Sequence, residues 1–275
     1  MSIAEALKKL TRILRLAGIE RPLLEAELLL SFHSGLDRVG LKLHESDSVE
    51  DEESLLALAR RRANHEPLEY IVGRAGFYSE EFIVHSGVLI PRPETELLVD
   101  AASALIERHS LRNIAEIGTG SAIVSIMLAK KHPQITIEAS DISRKALENA
   151  RVNMERFDMS GRISLYHCSM LDDIDTKVDM IVSNPPYIAR KEELPPEVSL
   201  YEPHEALYSS GEDGCDMLKA IVNLAIEREI PYVVCEMGYL QREPMRRFFE
   251  ERAIGEYRFY RDLAGLDRGF ELKVC

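Results

Sequence analysis

From residue 113 onward, short apolar runs alternate with stretches of helical periodicity. "NIAEIG" is followed by "SAIVSIMLAKKH", "ITIEASD" by "SRKALENARVNMERF", and "ISLYHCS" leads into "VDMIVSN". The helical stretch "CDMLKAIVNLAIERE", the run "YVVCEMG" and the helical "REPMRRFFEERA" continue the series. Apolar runs with little internal alternation are strands buried on both faces, and that requires helices above and below a mostly parallel sheet. Two last strand candidates, near 257–261 and 269–274, are joined by "LAGLDRG", too short for a crossover helix, so they pair antiparallel at an edge.

The opening third follows a different period. Ile3, Leu7, Leu10 and Leu14 share one helical face, and Ser2 with Glu5 forms a capping box ahead of them. Pro22 suits the first turn of a helix through "LLEAELLLSF", and Ser48 with Asp51 caps another through "EESLLALARRRA". The expected organisation is a helical bundle over 1–75, a hairpin linker over 76–90 turning at Ser86-Gly87, and an α/β domain over 91–275 that opens on a helix from "PRPETE".

Charge narrows the partners. Thirty-four Lys and Arg against 47 Asp and Glu leave a net charge of −13, which disfavours a phosphate backbone unless basic residues cluster. The run at Arg60, Arg61 and Arg62 is short and reads as a solvated helix terminus. Cys168, Cys215, Cys235 and Cys275 lack C-x-x-C spacing and the histidines lack paired metal-ligand spacing, so free thiols in a reducing compartment are expected and no metal. The N-terminal 20 residues carry charges throughout, unlike a signal peptide or membrane span, and the protein is expected in the cytoplasm, away from membranes.

"AEIGTGSAI" places Gly118, Gly120 and Ala122 between a strand and a helix, where small residues let backbone approach a ligand beside unpaired helix N–H groups. Asp141 ends the next strand about 20 residues on, the position at which a carboxylate accepts the two hydroxyls of a ribose. A dinucleotide fingerprint wants glycine at 123, where this chain has Ile123, and no Gly-Lys-Ser/Thr follows to make a nucleotide phosphate loop. A ribose-bearing ligand without pyrophosphate remains, and S-adenosylmethionine fits. Glu116 either faces its ammonium group or caps the loop.

The fourth strand ends in "SNPPY". Strand ends at the carboxyl edge of such a sheet line its ligand crevice, so Asn184 shares a cleft with the glycine turn. The Asn184 side-chain oxygen and the Pro185 carbonyl can accept both hydrogens of a flat NH₂ group, favouring positive charge that develops on its nitrogen. Pro185 and Pro186 fix the loop, and Tyr187 can stack on the planar group. A proline-rich turn with Tyr187 covering the core is the plainer alternative.

These segments, with "EPLEYIVGRAGFYSEEFIVHSGVLIPRPETE" at 66–96, "ASDIS", "YEPHEALYSSGEDG" at 201–214 and "CEMGYLQ" at 235–241, closely resemble those of the bacterial peptide chain release factor glutamine methyltransferases, in the same order. The resemblance implies a class I methyltransferase domain with a Rossmann-like seven-stranded sheet behind a small all-α domain that docks the release factor. It implies methyl transfer from S-adenosylmethionine to the amide nitrogen of the GGQ glutamine in class I release factors, giving S-adenosylhomocysteine. Carried over residue by residue, Gly118, Thr119, Gly120, Ser121 and Ala122 hold the methionine end of the cofactor, with Glu116 counted among the cofactor contacts. Asp141 takes the ribose and Met170 lies near adenine, Ile142, Ser169 and Asn184 are further cofactor contacts, and Asn184, Pro185, Pro186 and Tyr187 hold the glutamine. Ala122 stands where relatives have glycine and should crowd the turn slightly; Ser169 stands where they often have an acid, a place Asp172 could fill. Arg92, Glu94 and Glu202 are substrate-channel contacts or loop-ordering ion pairs. His204 reads as a surface or packing residue. An exocyclic amino group of adenine or guanine would suit the same clamp, and a non-catalytic adenosine-ligand docking module is the alternative of another class. The charge and the absence of a target-recognition insert disfavour the first, and the complete set of chemical residues the second.

Overall fold

A computed structural model describes residues 1–274, so Cys275 of the expected free thiols lies outside the described residues. The chain opens with helices α1 (Ile3–Leu16), α2 (Pro22–Ser34), α3 (Arg38–Leu43), α4 (Glu52–Ala63) and α5 (Leu68–Val72). The capping box at Ser2 and Glu5 is present, and Pro22 sits in the first turn of α2. Asp51 alone caps α4, through Ser54 N–H. The buried faces of these helices form their own core, with Leu10, Leu14, Leu29, Leu30 and Leu55 fully buried.

Next come the hairpin strands β1 (Arg74–Phe77) and β2 (Glu80–Ile83), and α6 (Thr95–His109). Then strand and helix alternate: β3 (Asn113–Ile117), α7 (Ile123–Lys131), β4 (Thr136–Ser140), α8 (Arg144–Arg156), β5 (Ile163–Tyr166) and β6 (Met180–Ser183). One-turn helices α9 (Pro196–Ser199) and α10 (His204–Leu207) interrupt the loop to α11 (Asp216–Glu227). The chain finishes with β7 (Tyr232–Glu236), α12 (Arg242–Glu251), β8 (Glu256–Arg261) and β9 (Asp267–Lys273).

Seven strands form one sheet in the order β5-β4-β3-β6-β7-β9-β8, parallel as far as β7. The edge hairpin is antiparallel as expected, and β9 lies inside it, paired to β7 as well as β8. One apolar layer joins the hairpin, α6, α7 and α8 to one sheet face; the other packs α11, α12 and the edge hairpin on the opposite face. The chain steps from β3 outward to β5 and returns past β3 to β6, so the strand order reverses between β3 and β6.

The boundaries differ from expectation in two places. The hairpin turns at Tyr78-Ser79, with Tyr78 at φ 52°, while Ser86-Gly87 forms a later turn. Phe77 and Phe82 are buried in the α/β core, so the hairpin is part of that unit. The helical unit also comprises residues 194–201, where Tyr201 donates to the Asn64 carbonyl at 2.8 Å and Glu197 pairs with Arg62 at 3.0 Å; Arg62 is buried between Glu25 and Glu197, not solvated as the helix terminus was expected to be.

Candidate active site

Parallel register brings the strand ends level. Ile117 pairs with Ser140 on one side and Ser183 on the other, and Ser183 pairs with Cys235. The next residues, Gly118, Asp141, Asn184 and Glu236, therefore emerge together at the carboxyl edge. The first three line one cleft of about 850 Å³ of empty space, its open mouth included.

The glycine turn forms one wall. Gly118 and Gly120 adopt φ of 72° and 55°, and a Cβ at either would meet nothing within 4 Å, so their missing side chains leave backbone bare. Thr119 and Gly118 donate to the Ser140 carbonyl, tying the turn to β4. Ala122 is fully buried and has φ 62°. Its departure from glycine thus falls on the backbone, which holds a left-handed conformation costing an L-residue roughly 1–2 kcal/mol.

Asp141 accepts from Gly120 N–H at 2.9 Å through one carboxylate oxygen and from Ser143 N–H at 2.8 Å through the other. A carboxylate has about four lone-pair sites, so each oxygen retains one for a ribose hydroxyl. Burial raises the Asp141 pKa above its usual value, opposed by those two backbone bonds. Beside it Ile142, Ser169 and Met170 line the cleft; Ile142 is exposed and its carbonyl is 3.0 Å from His167 Nε2. Asp172 is exposed and is not among the lining residues.

Glu116 lies beneath the turn and is buried. One oxygen accepts from Thr119 Oγ1 at 2.7 Å and from the backbone and hydroxyl of Ser125. Burial pushes its pKa up to about 7. Three donors from the loop and the first turn of α7 converge on that oxygen, as the loop-cap reading requires. Glu116, Thr119 and Ser121 also line a smaller recess shared with Thr95 and Asn184.

Asn184, Pro185 and Pro186 of the "NPPY" loop line the cleft as well, and Tyr187 is not among its lining residues. Asn184 is half-buried, and its side-chain nitrogen donates to Thr95 Oγ1 at 3.2 Å. Thr95 in turn donates to Glu236 Oε2 at 2.7 Å, and Tyr187 donates its hydroxyl to Glu236 Oε1 at 2.9 Å. Burial raises Glu236, and burial together with the Glu236 charge holds Tyr187 well above its usual value. Gln241 donates to the Tyr187 carbonyl at 2.7 Å and accepts from Gly238 N–H at 2.8 Å, fastening the loop to the turn after β7.

Arg92 and Glu202 pair with each other, and buried Glu202 also accepts from Ile90 N–H at 3.0 Å, so their charges order the segment leading to Thr95. Glu94 faces Arg268 at 3.7 Å. His204 is exposed and packs edge-on against Tyr208. Sequence reading missed Thr95 and Glu236, and also Leu89, Pro203, Glu205 and Met217, which line the cleft. The signal for Glu236 was its place at the end of β7, level with the end of β6.

Cys168 is half-buried; Cys215 and Cys235 are buried free thiols, and burial raises the pKa of both. Among the described residues no cluster of His, Cys, Asp or Glu could hold a metal ion, and no helix is long and apolar enough to cross a membrane.

Comparison with known proteins places this geometry. Residues 5–73 match the PrmC N-terminal domain, and residues 93–201 match the methyltransferase small domain. The catalytic domain of human METTL16, solved in complex with MAT2A 3′UTR hairpin 6, superposes with a TM-score of 0.58 at 16% identity, covering 83% of this chain and 84% of that one. The N-terminal domain of human METTL16 in complex with SAH gives 0.53 at 15% identity, over 85% and 87%. At such identities the likeness shows the fold, a class I methyltransferase sheet. The bifunctional methyltransferase of Rickettsia prowazekii is 34% identical over 98% of this chain but only 57% of its own length, so the chain spans little more than half of that relative. The release factor glutamine methyltransferase of Geobacter sulfurreducens is 37% identical over 91% of this chain and 89% of its own, and that of Koribacter versatilis 33% over 98% and 97%. Identity at that level, sustained across nearly the whole of two such enzymes and both units of this fold, means that the chain belongs to the release factor glutamine methyltransferase family.

Proposed function

We propose that this protein transfers a methyl group from S-adenosylmethionine to the side-chain amide nitrogen, N5, of the glutamine in the GGQ motif of class I peptide chain release factors. One observation carries the reading: Asn184, Pro185 and Pro186 line the same cleft as Gly118, Gly120 and Asp141. An amide-gripping loop and a ribose-accepting acid thus face one space. The residues fit the cofactor, since Asp141 keeps two acceptor sites and the glycines leave bare backbone where a Cβ would project.

When bound, S-adenosylmethionine supplies an electrophilic methyl group on a sulfonium. Gly118 to Ala122 receive its methionine end, with Glu116 beneath them; Asp141 and Ile142 take the ribose; Ser169 and Met170 flank the adenine. An amide nitrogen is a poor nucleophile because its lone pair is conjugated, so the chain's task is orientation and charge stabilisation. Asn184 Oδ1 and the Pro185 carbonyl accept the two N–H hydrogens, their dipoles favour positive charge on the nitrogen as it is alkylated, and the N-methylated amide then sheds one of those protons. Tyr187 and Pro186 bound the planar group. Arg92 and Glu202 hold the entrance segment, and Glu94 lies with them on the substrate side.

The helical unit of residues 1–74 and 194–201 is read as the docking element for the release factor, a role supported by the exposed Leu16, Val39 and Leu43. The net charge of −13 weighs against nucleobase substrates, which bring phosphates with them. Release factors act in the cytoplasm, and the reading places the enzyme there.

The test is incubation with methyl-labelled cofactor and purified release factor, beside tRNA, rRNA and DNA, followed by mapping of the label. It is expected on the GGQ glutamine. Label on a nucleobase, or none on any protein, overturns the reading.

A further inference from the structure

The clamp works only if Asn184 presents oxygen to the substrate. An asparagine side chain is nearly symmetric in shape, and its two ends are chemically opposite. Something must hold it one way round, and the hydrogen-bond chain behind it supplies the direction. Thr95 has a single hydroxyl hydrogen, given to Glu236 Oε2 at 2.7 Å. Its oxygen then has only lone pairs to offer Asn184 at 3.2 Å, and only the NH₂ end can answer them. The Tyr187 hydroxyl hydrogen on Glu236 Oε1 occupies the other carboxylate oxygen and fixes its plane.

We infer that Thr95 and Glu236 are positioning residues which, by the direction of their hydrogen bonds, turn the Asn184 oxygen toward the substrate amide. The inference rests on the role given to Asn184 above and adds a requirement for charge. If Glu236 takes up a proton, its O–H can donate to Thr95, and the Thr95 hydrogen is then free to point at Asn184. The Asn184 amide turns over to accept it. Its NH₂ then meets the substrate NH₂, donor against donor, and the clamp is lost. Methyl transfer therefore needs the Glu236 carboxylate and falls as pH drops through its pKa.

The groups facing Glu236 set where that happens. Burial is the largest influence and raises the pKa; Glu94, ahead of α6, raises it further, and Arg268 of β9 lowers it. Thr95 and Tyr187 stabilise the carboxylate by donating to it, and half-buried Tyr260 of β8 lies nearby with its hydroxyl on the Cys235 carbonyl at 3.0 Å.

The test compares Thr95→Val, Thr95→Ser, Glu236→Gln and Asn184→Ala in single-turnover methylation of a release factor at saturating cofactor, across pH. Affinity for S-adenosylhomocysteine and thermal melting are measured on each. Thr95→Val and Glu236→Gln should each lose about 10- to 100-fold in rate, the usual effect of removing an outer partner of a functional group, with cofactor affinity unchanged. Thr95→Ser, which keeps the hydroxyl, should recover most of the rate. The acid loss in the wild type should be absent from Thr95→Val, in which Glu236 can no longer reach Asn184. In wild-type protein labelled with ¹⁵N-asparagine, the Asn184 NH₂ resonances should shift with the same midpoint as the rate, a readout independent of turnover and of any variant's folding. Wild-type rates in both Thr95→Val and Glu236→Gln, with Asn184→Ala inactive, overturn the inference alone. Full activity in Asn184→Ala overturns the clamp itself. Asn184 resonances that do not respond to pH while the rate does would also sink the link to Glu236.

Discussion

Glu116→Gln separates the two roles that the sequence left to this carboxylate, and its effect on stability can be worked out beforehand. In the folded chain burial pushes Glu116 up to about 7; exposed in the unfolded chain, the same group titrates near 4.5. A carboxyl raised by folding binds its proton more tightly in the native state, so its contribution to stability is complete below the unfolded value and is lost as pH rises through about 7. Each pH unit across that window is worth about 1.4 kcal/mol, so the most that can be lost is roughly 3 kcal/mol. That is a sizeable part of a typical folding free energy of about 5–15 kcal/mol. Glutamine stays neutral and can still accept from Thr119 and Ser125. Urea denaturation of both proteins at a series of pH values should show the wild type losing roughly 1–3 kcal/mol against the variant between mildly acidic and mildly alkaline buffer. A stability difference that does not change with pH refutes the account of a buried carboxyl held by the turn. Calorimetry with S-adenosylhomocysteine on the same samples then assigns the function. A drop in affinity places Glu116 against the cofactor ammonium, and unchanged affinity leaves it as the cap of the glycine turn.

Asp141→Ala should weaken S-adenosylhomocysteine binding by about 10- to 100-fold, the loss expected for one or two hydrogen bonds to a charged group; an unchanged dissociation constant removes Asp141 from the ribose site. Because burial raises the Asp141 pKa and the carboxylate is the accepting form, wild-type affinity should fall as pH drops through that raised value, and the Ala variant should lack this dependence. Asn184→Ala should lower the rate of methyl transfer by about 10²- to 10³-fold, the typical result of removing one group aimed at developing charge, while cofactor affinity holds; equal loss of both would make Asn184 a structural residue. Val39 and Leu43 lie four apart on α3 and are 64% and 78% exposed. Replacing both with Asp should raise KM for the intact release factor and leave cofactor affinity unchanged, and an unaltered KM removes α3 from the docking surface.

The strands and most helices were legible because each is bounded by its own chemistry: an apolar run ended by Gly118, Asp141 or the Asn184-Pro185 pair, or a helix opened by Ser2 or Pro22. Where the sequence misled, distant partners decided. Ser86-Gly87 has the composition of a hairpin turn, yet Tyr78 takes that place in a left-handed conformation. Its N–H donates to Glu96 at 2.6 Å and its hydroxyl lies between Asp100 Oδ1 at 2.7 Å and the Glu96 carbonyl at 2.8 Å, contacts that offset the backbone cost. Residues 194–201 follow the "NPPY" loop in the chain but belong to the helical unit through Glu197 and Tyr201, a relation no local pattern carries.

The site divides along the same line. Gly118, Asp141 and Asn184 could be found because each stands next in sequence to the strand that aims it. Thr95 and Glu236 lie 89 residues before and 52 after Asn184, and only the pairing of Ser183 with Cys235, with the start of α6 laid across both strand ends, makes them neighbours. What sequence offers is therefore the set of groups proposed to touch substrate and cofactor. What the fold adds is the direction of the hydrogen bonds behind them, and in the proposed clamp that direction decides whether the nearly symmetric asparagine side chain grips an amino group or repels one.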